Sequence, residues 1–292
     1  MELVAVALAL VSAFLHALRN LLVKRAIDKQ VFALLGLLVG LTLYLPAAAY
    51  VTISAEVDVA AILLYGLLSG FIHFFYVIFY TGSYEGGDFS QVYPIMRSAP
   101  ALVLVVAILF LGEYVSFRGG LGIALVVLGA YSINLKGISP SAFIEPVAAH
   151  WKERHLQLAV LTMLTVAAYS IVDKLAVALI HPVLFLWSYT LVTVLMLGGY
   201  LALTRDRGAI EKEWRENRRS VLLNGVFGLT SYVLILYAFQ LERVSYIAGL
   251  RQISVVMAVI MGGQLLGEGF QGIRLAASIL IFAGAMLIAT AQ

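Results

Sequence analysis

Two arginines stand where this chain has least reason to put them. Arg97 lies within VYPIMRSAPALVLVVAILFLGE (92–113), and no further charge follows it until Glu113. Arg251 lies within VSYIAGLRQISVVMAVIMGGQLLGE (244–268), a second apolar run that also ends in LGE. A guanidinium cannot shed its proton to enter an apolar phase. At depth it costs several kcal/mol unless it faces a wet cavity or an anion. Two arginines converging on one cavity make a fork for a carboxylate or a phosphate-like group. The alternative is a structural cation held by backbone carbonyls at a kink, since Pro94 and Pro100 flank Arg97. Tyr76, Tyr80, Tyr93, Tyr169, His16 and Gln252 are the other candidates to bind a small amphipathic molecule. His16, His73 and Asp173 are the in-span groups able to change charge near neutral pH, so proton coupling would run through them.

The elements that must carry these groups follow from composition. Of 292 residues, 62% are hydrophobic and 12% charged, with a mean hydropathy of +1.00. A soluble domain is nearer half apolar and a quarter charged. The expectation is an all-α integral membrane protein. Apolar runs fall at 3–23, 31–53, 60–81, 89–111, 117–135, 156–179, 182–203, 220–241, 245–266 and 271–290. Each suits one crossing of about 20 residues. Each must be a helix, because a lipid-facing backbone has to satisfy itself. The first run lacks a basic leader and reads as a retained helix.

Other classes are disfavoured. There is no cysteine, so no disulfide or thiol chemistry. The net charge of +3 sits in short clusters between apolar runs, which suits membrane topology and not nucleic acid. No GxxxxGK[ST] loop and no HExxH spacing occur, so neither nucleotide, cofactor nor metal is expected.

The two halves repeat. A shift of 155 lays Leu111-Gly112-Glu113 on Leu266-Gly267-Glu268, Gly129-Ala130 on Gly284-Ala285, Ser90 on Ser245 and Gly70 on Gly225. This predicts a first repeat over 1–136, a connection over 137–155 and a second repeat over 156–292. Five helices per repeat forces the halves into opposite orientations, giving ten transmembrane helices as two inverted five-helix repeats. The alternative is that apolar helices merely resemble one another.

Polar stripes mark the first, third, fourth, sixth, eighth and ninth spans as cavity wall. The fifth and tenth are rich in small residues, which let helices approach closely. They read as scaffold, or as the face of a homodimer if the protein is not a monomer. Blander readings stand beside these. Tyr44, Tyr84 and Tyr131 suit interface anchors, Arg19 suits snorkelling at a span end, and Asp173 with Lys174 suits a surface pair. Glu113 and Glu268 suit interfacial carboxylates beside a helix start. Placing the N-terminus inside would leave thirteen loop lysines and arginines outside and only Arg118, Lys174 and Arg243 inside. The positive-inside rule therefore puts both termini outside.

The motifs HALRNLLVKRA, FSQVYPIMRSAPALVLVVAILFLGE running into GGLGIALVVLGAYSI, and VSYIAGLRQISVVMAVIMGGQLLGE running into LAASILIFAGAMLIA resemble the EamA type of the drug/metabolite transporter superfamily. The resemblance spans essentially the whole chain. It implies a ten-helix, five-plus-five carrier in the bacterial inner membrane that moves small metabolites, amino acids, nucleotide-linked sugars or drugs, often outward. Arg19 stands where the family commonly has an aromatic beside the Asn. Members have cytoplasmic termini, opposite to the charge count. The resulting expectation is a secondary transporter of a small anionic or zwitterionic metabolite: an amino acid, organic acid or phosphonate-like compound. It would sit in membrane lipid and work by alternating access, as an exporter. The rival readings are a non-transporting binding or sensory membrane protein, and a membrane-embedded enzyme built on His16, His73 and Asp173.

Overall fold

The structure, a computed structural model, describes residues 1–23, 26–84, 95–132, 153–266 and 272–291. Among them no strand occurs. The helices are α1 Leu3–Val23, α2 Lys29–Ser54, α3 Val59–Ser83, α4 Ala99–Leu111, α5 Phe117–Ser132, α6 Arg154–Val177, α7 Pro182–Thr204, α8 Arg207–Leu241, α9 Val244–Leu250, α10 Ile253–Leu266 and α11 Gly272–Ala289. Six of these, α1, α2, α3, α6, α7 and α8, are long and apolar enough to cross a membrane. The protein is a multi-pass membrane protein. Most of the connection expected over 137–155 lies outside the described residues, as do Tyr93, Ser90, Pro94 and Glu268.

Local chemistry sets the helix boundaries. Asp28 caps α2, its carboxylate accepting from the amides of Gln30 and Val31 at 2.9 and 3.1 Å. Asp58 caps α3 through the Ala61 amide. Gly112, at φ 62°, ends α4 in the left-handed region and turns the chain into Glu113. Two expected boundaries shift. The stretch TRDRGAIEKEWRENRRS, read as a connection, is largely the first part of α8, bent at Asn217 (φ −118°, ψ 16°). The ninth span is broken: α9 ends and α10 begins across Arg251–Gln252. The fourth is interrupted likewise at Ser98, just after Arg97.

The small residues of α5 and α11 meet within one chain. A Cβ on Gly122 would lie 2.7 Å from the Gly284 carbonyl, and one on Gly284 would lie 2.5 Å from the Gly122 carbonyl. One on Gly129 would lie 2.6 Å from the Ala277 carbonyl. The contact is reciprocal, because Gly129 maps to Gly284 and Gly122 to Ala277 under the same shift of 155. The pattern recurs elsewhere. Gly70 of α3 packs on Val192 of α7, and Gly225 of α8 packs on Val39 of α2. The glycine faces of α5 and α11 are thus spent inside the protein. A homodimer through these helices would have to use their outward faces, where Leu121, Leu128, Ile279 and Phe282 are exposed.

The two ends of the bundle differ. At one, the Met1 end, the terminal amine donates to the Ala291 carbonyl (3.2 Å) and lies 3.9 Å from Glu242 Oε1. Lys174 Nζ donates to the carbonyls of Phe239 and Glu242, so it does not pair with Asp173. Glu113 is no idle interfacial carboxylate. It accepts from Val244 N (2.7 Å), Ser245 N (3.3 Å) and Ser245 Oγ (2.6 Å), and so caps α9. At the other, the Lys29 end, buried Glu213 accepts from the amides of Ile27 and Asp28, and Arg205 Nε donates to Asp28 at 2.7 Å.

Candidate functional site

A cavity of about 190 Å3 runs through the middle of the bundle. Its lining extends from Val23, Lys29 and Tyr84 inward to Ile235, Phe239 and Ile247. Beyond Phe239 the Met1 end is tied by the network above. The structure brings His16, His73, Tyr76, Tyr80, Arg97, Tyr169, Arg251 and Gln252 to this one cavity. Asp173 lies behind it, fully buried. Tyr93 lies outside the described residues.

The deep wall is an aromatic and carboxylate cluster. Asp173 of α6 accepts from Ser69 Oγ of α3 at 2.6 Å and from the Tyr232 hydroxyl of α8 at 2.5 Å. No cation lies within ion-pair distance of it among the described residues. His73 is stacked between Tyr169 and Tyr189, with ring centroids 4.3 and 4.5 Å away and planes within 24° and 20° of parallel. Its Nδ1 lies 2.9 Å from the Ser69 carbonyl. A carbonyl only accepts, so this assigns the ring proton to Nδ1. A neutral His73 then keeps its lone pair on Nε2.

The second part of the wall is cationic. Arg251 sits at the α9–α10 break with its guanidinium 5.3 Å from the centre of the Tyr232 ring. Among the described residues its buried Nε has no hydrogen-bond partner, nor do His16 Nδ1 and Gln252 Oε1. Such atoms are rare because each forfeits its hydration. Three of them line one cavity. That arrangement suits a polar ligand that would complete their bonds. Gln252 Nε2 donates to the Arg97 carbonyl at 3.2 Å.

Several lining groups were not among the sequence candidates. Arg19 does not snorkel to an interface. It lines the cavity, and its Nε donates to Asn224 Oδ1 at 3.0 Å, over Gly228. Tyr84 lines the cavity, and the Tyr44 hydroxyl donates to Thr230 Oγ1 at 3.0 Å, so neither is a simple anchor. Tyr189, Thr193, Phe32 and Gly36 bring α7 and α2 into the wall, beyond the six spans expected. The signal for α7 was present in Ser188, Tyr189, Thr190 and Thr193, four polar residues in one apolar span. Among the described residues, no three His, Asp or Glu side chains cluster as metal ligands do.

Helical spans around a polar central cavity define a membrane transporter. The chain belongs to the EamA-like transporter family, whose model matches residues 3–135 and again 154–290, and so to the drug/metabolite transporter superfamily. Members of the family are transporters and not, in general, enzymes. A solved structure, titled only "Crystal structure of protein", is similar with a TM-score of 0.73 at 14% identity, covering 97% of this chain and 96% of that one. At that identity the likeness speaks for the fold alone. No curated protein matches the chain.

Proposed function

We propose that the protein is a secondary carrier of a small anionic or zwitterionic metabolite, built as two inverted repeats of five spans that alternate access to the central cavity. The observation that carries this reading is the cavity itself. Both repeats line it, and it holds Arg19, Arg97 and Arg251 beside the buried Arg251 Nε, His16 Nδ1 and Gln252 Oε1, three atoms with no partner among the described residues. The reciprocal glycine contacts support the inverted repeat. Helix breaks at Arg251–Gln252 and after Arg97 support a midplane site, since irregular backbone inside a membrane survives where it lines a cavity. His73 and Asp173 are the proposed proton-coupling pair, joined through Ser69.

The Lys29 end carries most of the loop cations, which supports the cytoplasmic side of the inner membrane for that end and the outside for both termini. The cavity reaches that end, so it would load from the cytoplasm, and the direction proposed is export. The test is counterflow in proteoliposomes, with amino acids, organic acids and phosphonates as labelled probes. Exchange of label supports the carrier. A protein that is thermally stabilised by a probe but never exchanges it is a sensor. A C-terminal reporter that works only in the cytoplasm should stay silent, and a bright one overturns the orientation.

A further inference from the structure

Six of the 19 lysines and arginines fall between Arg205 and Arg219, so positive charge is concentrated where α8 enters the bundle. The α8 helix has 35 residues, about 15 more than one crossing needs. The surplus is the stretch before Asn217, and it is docked on the end of the bundle. Ile210 packs on the cluster that Val31 and Leu34 of α2 form with Leu197 and Leu201 of α7. Glu213 accepts from the amides of Ile27 and Asp28, and Asn217 Nδ2 donates to Glu213 Oε1 at 2.7 Å. Beyond the bend, Gly225 lies so near α2 that a Cβ on it would be 2.6 Å from the Gly36 carbonyl. The rotation of α8 is therefore fixed on both sides of Asn217.

That rotation turns outward a pair of charges above an apolar strip. Arg218 and Arg219 are exposed, and among the described residues no carboxylate lies within ion-pair distance of either. Leu222, Leu223 and Val226 follow, 45%, 44% and 37% exposed. The helix is regular from Arg218 onward, since Asn217 is its one non-helical residue. Leu222 comes four residues after Arg218 and three after Arg219. On a helix it stands about 5 Å below the two and between them. Val226, one turn further, continues the row. Apolar side chains exposed on a spanning helix face lipid chains, so the arginines one turn above lie at headgroup level. Trp214, 43% exposed, sits a turn beyond Arg218 and is the amphipathic ring that membrane interfaces favour.

We infer that Arg218 and Arg219 form a binding site for the phosphate of an anionic phospholipid whose chain lies along Leu222 and Val226. A guanidinium takes phosphate oxygens in pairs, and neither arginine has a carboxylate to give up first. A choline headgroup brings its own cation, which the two arginines repel, and a glycerol headgroup brings none. The bound lipid braces α8 next to the residue, Glu213, that holds the turn between α1 and α2. That turn joins Val23 and Lys29, which line the outer part of the cavity. The site itself lies outside the cavity. It depends neither on the carrier reading nor on which way the chain crosses.

The test is a lipid titration of the purified full-length protein in neutral detergent, read by native mass spectrometry. The probes are dioleoylphosphatidylglycerol and, separately, dioleoylphosphatidylcholine. The first phosphatidylglycerol should bind about 10-fold tighter than the first phosphatidylcholine, as two arginines at a headgroup provide. High salt should erase most of that preference. Arg218→Gln combined with Arg219→Gln should abolish it while phosphatidylcholine binding stays as in wild type. Arg207→Gln combined with Lys212→Gln removes the same charge from exposed positions before the bend and should leave the preference intact. Equal affinity for the two lipids in wild type overturns the inference without any variant. An equal loss in both double variants also overturns it, since the attraction is then diffuse and has no site. Inorganic phosphate that displaces phosphatidylglycerol at equal concentration overturns it too, because the occupant is then a free anion and not a lipid.

Discussion

Gln252 donates from Nε2 to the backbone carbonyl of Arg97, and the two residues stand 155 positions apart. That is the interval which lays the first half of the chain on the second. On the proposed two-fold repeat, equivalent residues touch only near the axis that relates the halves. The contact therefore marks the place where the repeats meet, and both helices lose continuity there. It also explains why Gln252 offers only its Oε1 to the cavity. The amide nitrogen is spent on the partner repeat.

Arg251 should dominate ligand affinity. Among the described residues its buried Nε has no hydrogen-bond partner, while its ring contact to Tyr232 holds it without neutralising it. Arg251→Ala is expected to weaken anion binding about 10- to 100-fold, the worth of one charge-assisted bond. Arg251→Lys should restore only part of this, because an ammonium keeps the charge and loses the fork. Calorimetric titration with phenyl phosphate reads both. Equal affinity in wild type and Arg251→Ala would remove Arg251 from the site.

Asp173 should matter for pH dependence more than for binding. Asp173→Asn keeps an acceptor toward Tyr232 or Ser69 and loses the ability to titrate. Its uptake is expected to become flat across pH 5 to 8 while probe affinity stays within about 3-fold. Asp173→Ala leaves two buried hydroxyls without their acceptor, at about 1–3 kcal/mol each, and should lower the melting temperature. A pH profile unchanged in Asp173→Asn would move the proton elsewhere.

The α5–α11 contact gives a paired stability test. Gly284→Ala puts its Cβ 2.5 Å from the Gly122 backbone carbonyl, where no flexible group can yield. About 1–3 kcal/mol of destabilisation is expected. Gly120→Ala, on the same helix as Gly122 with nothing within 4 Å of its Cβ, should be neutral or slightly stabilising. Thermal unfolding in detergent compares them. Equal melting points would mean the two helices are not packed as described.

The polar end contacts predict an acid sensitivity. Burial alone would raise the Asp28 carboxyl, but the Arg205 hydrogen bond and the Val31 and Gln30 amides outweigh it and hold the group below its ordinary value of 3.8. A carboxyl lowered by folding contributes stability above its unfolded value, and that stability is lost as pH falls through the folded one. Melting temperature should therefore drop as pH falls below about 4, and the drop should shrink in Arg205→Gln. The same acid slope in both proteins would dismiss the pair as its cause.

Much of this molecule was legible in its sequence. Arg97 and Arg251 announced themselves because a permanent cation in an apolar run has few explanations. The glycine pairs did so because the shift of 155 matched them without a gap. Other features had no local signature. The break at Arg251–Gln252 contains no proline, unlike the segment around Arg97, and an apolar window does not record helix continuity. Arg19 lies near a span end, where snorkelling and cavity lining look the same until Asn224 is seen beside it. Lys174 follows Asp173 directly, yet adjacent helical residues point about 100° apart. One reaches the tyrosine cluster and the other the closed end. Proximity in sequence suggested a pair that helical geometry forbids.

Glu113 supplies the test of alternating access. It caps α9 from the turn between α4 and α5 of the first repeat, so it clamps the two halves together at the Met1 end. Glu113→Ala removes three acceptor contacts at once, each worth about 1 kcal/mol. The change should favour conformations in which the Met1 end opens. The chain contains no cysteine, so a single introduced thiol reports without background. Ile247→Cys sits on α9 at the deep end of the cavity, beyond the reach of a bulky reagent applied from the Met1 side. In the otherwise wild-type protein it should label slowly from that side. Combined with Glu113→Ala it should label several-fold faster, and Glu113→Gln, which keeps an acceptor oxygen, should fall between. If all three label at one rate, Glu113 is a cap and nothing more, and the gate must lie with Lys174 and Glu242.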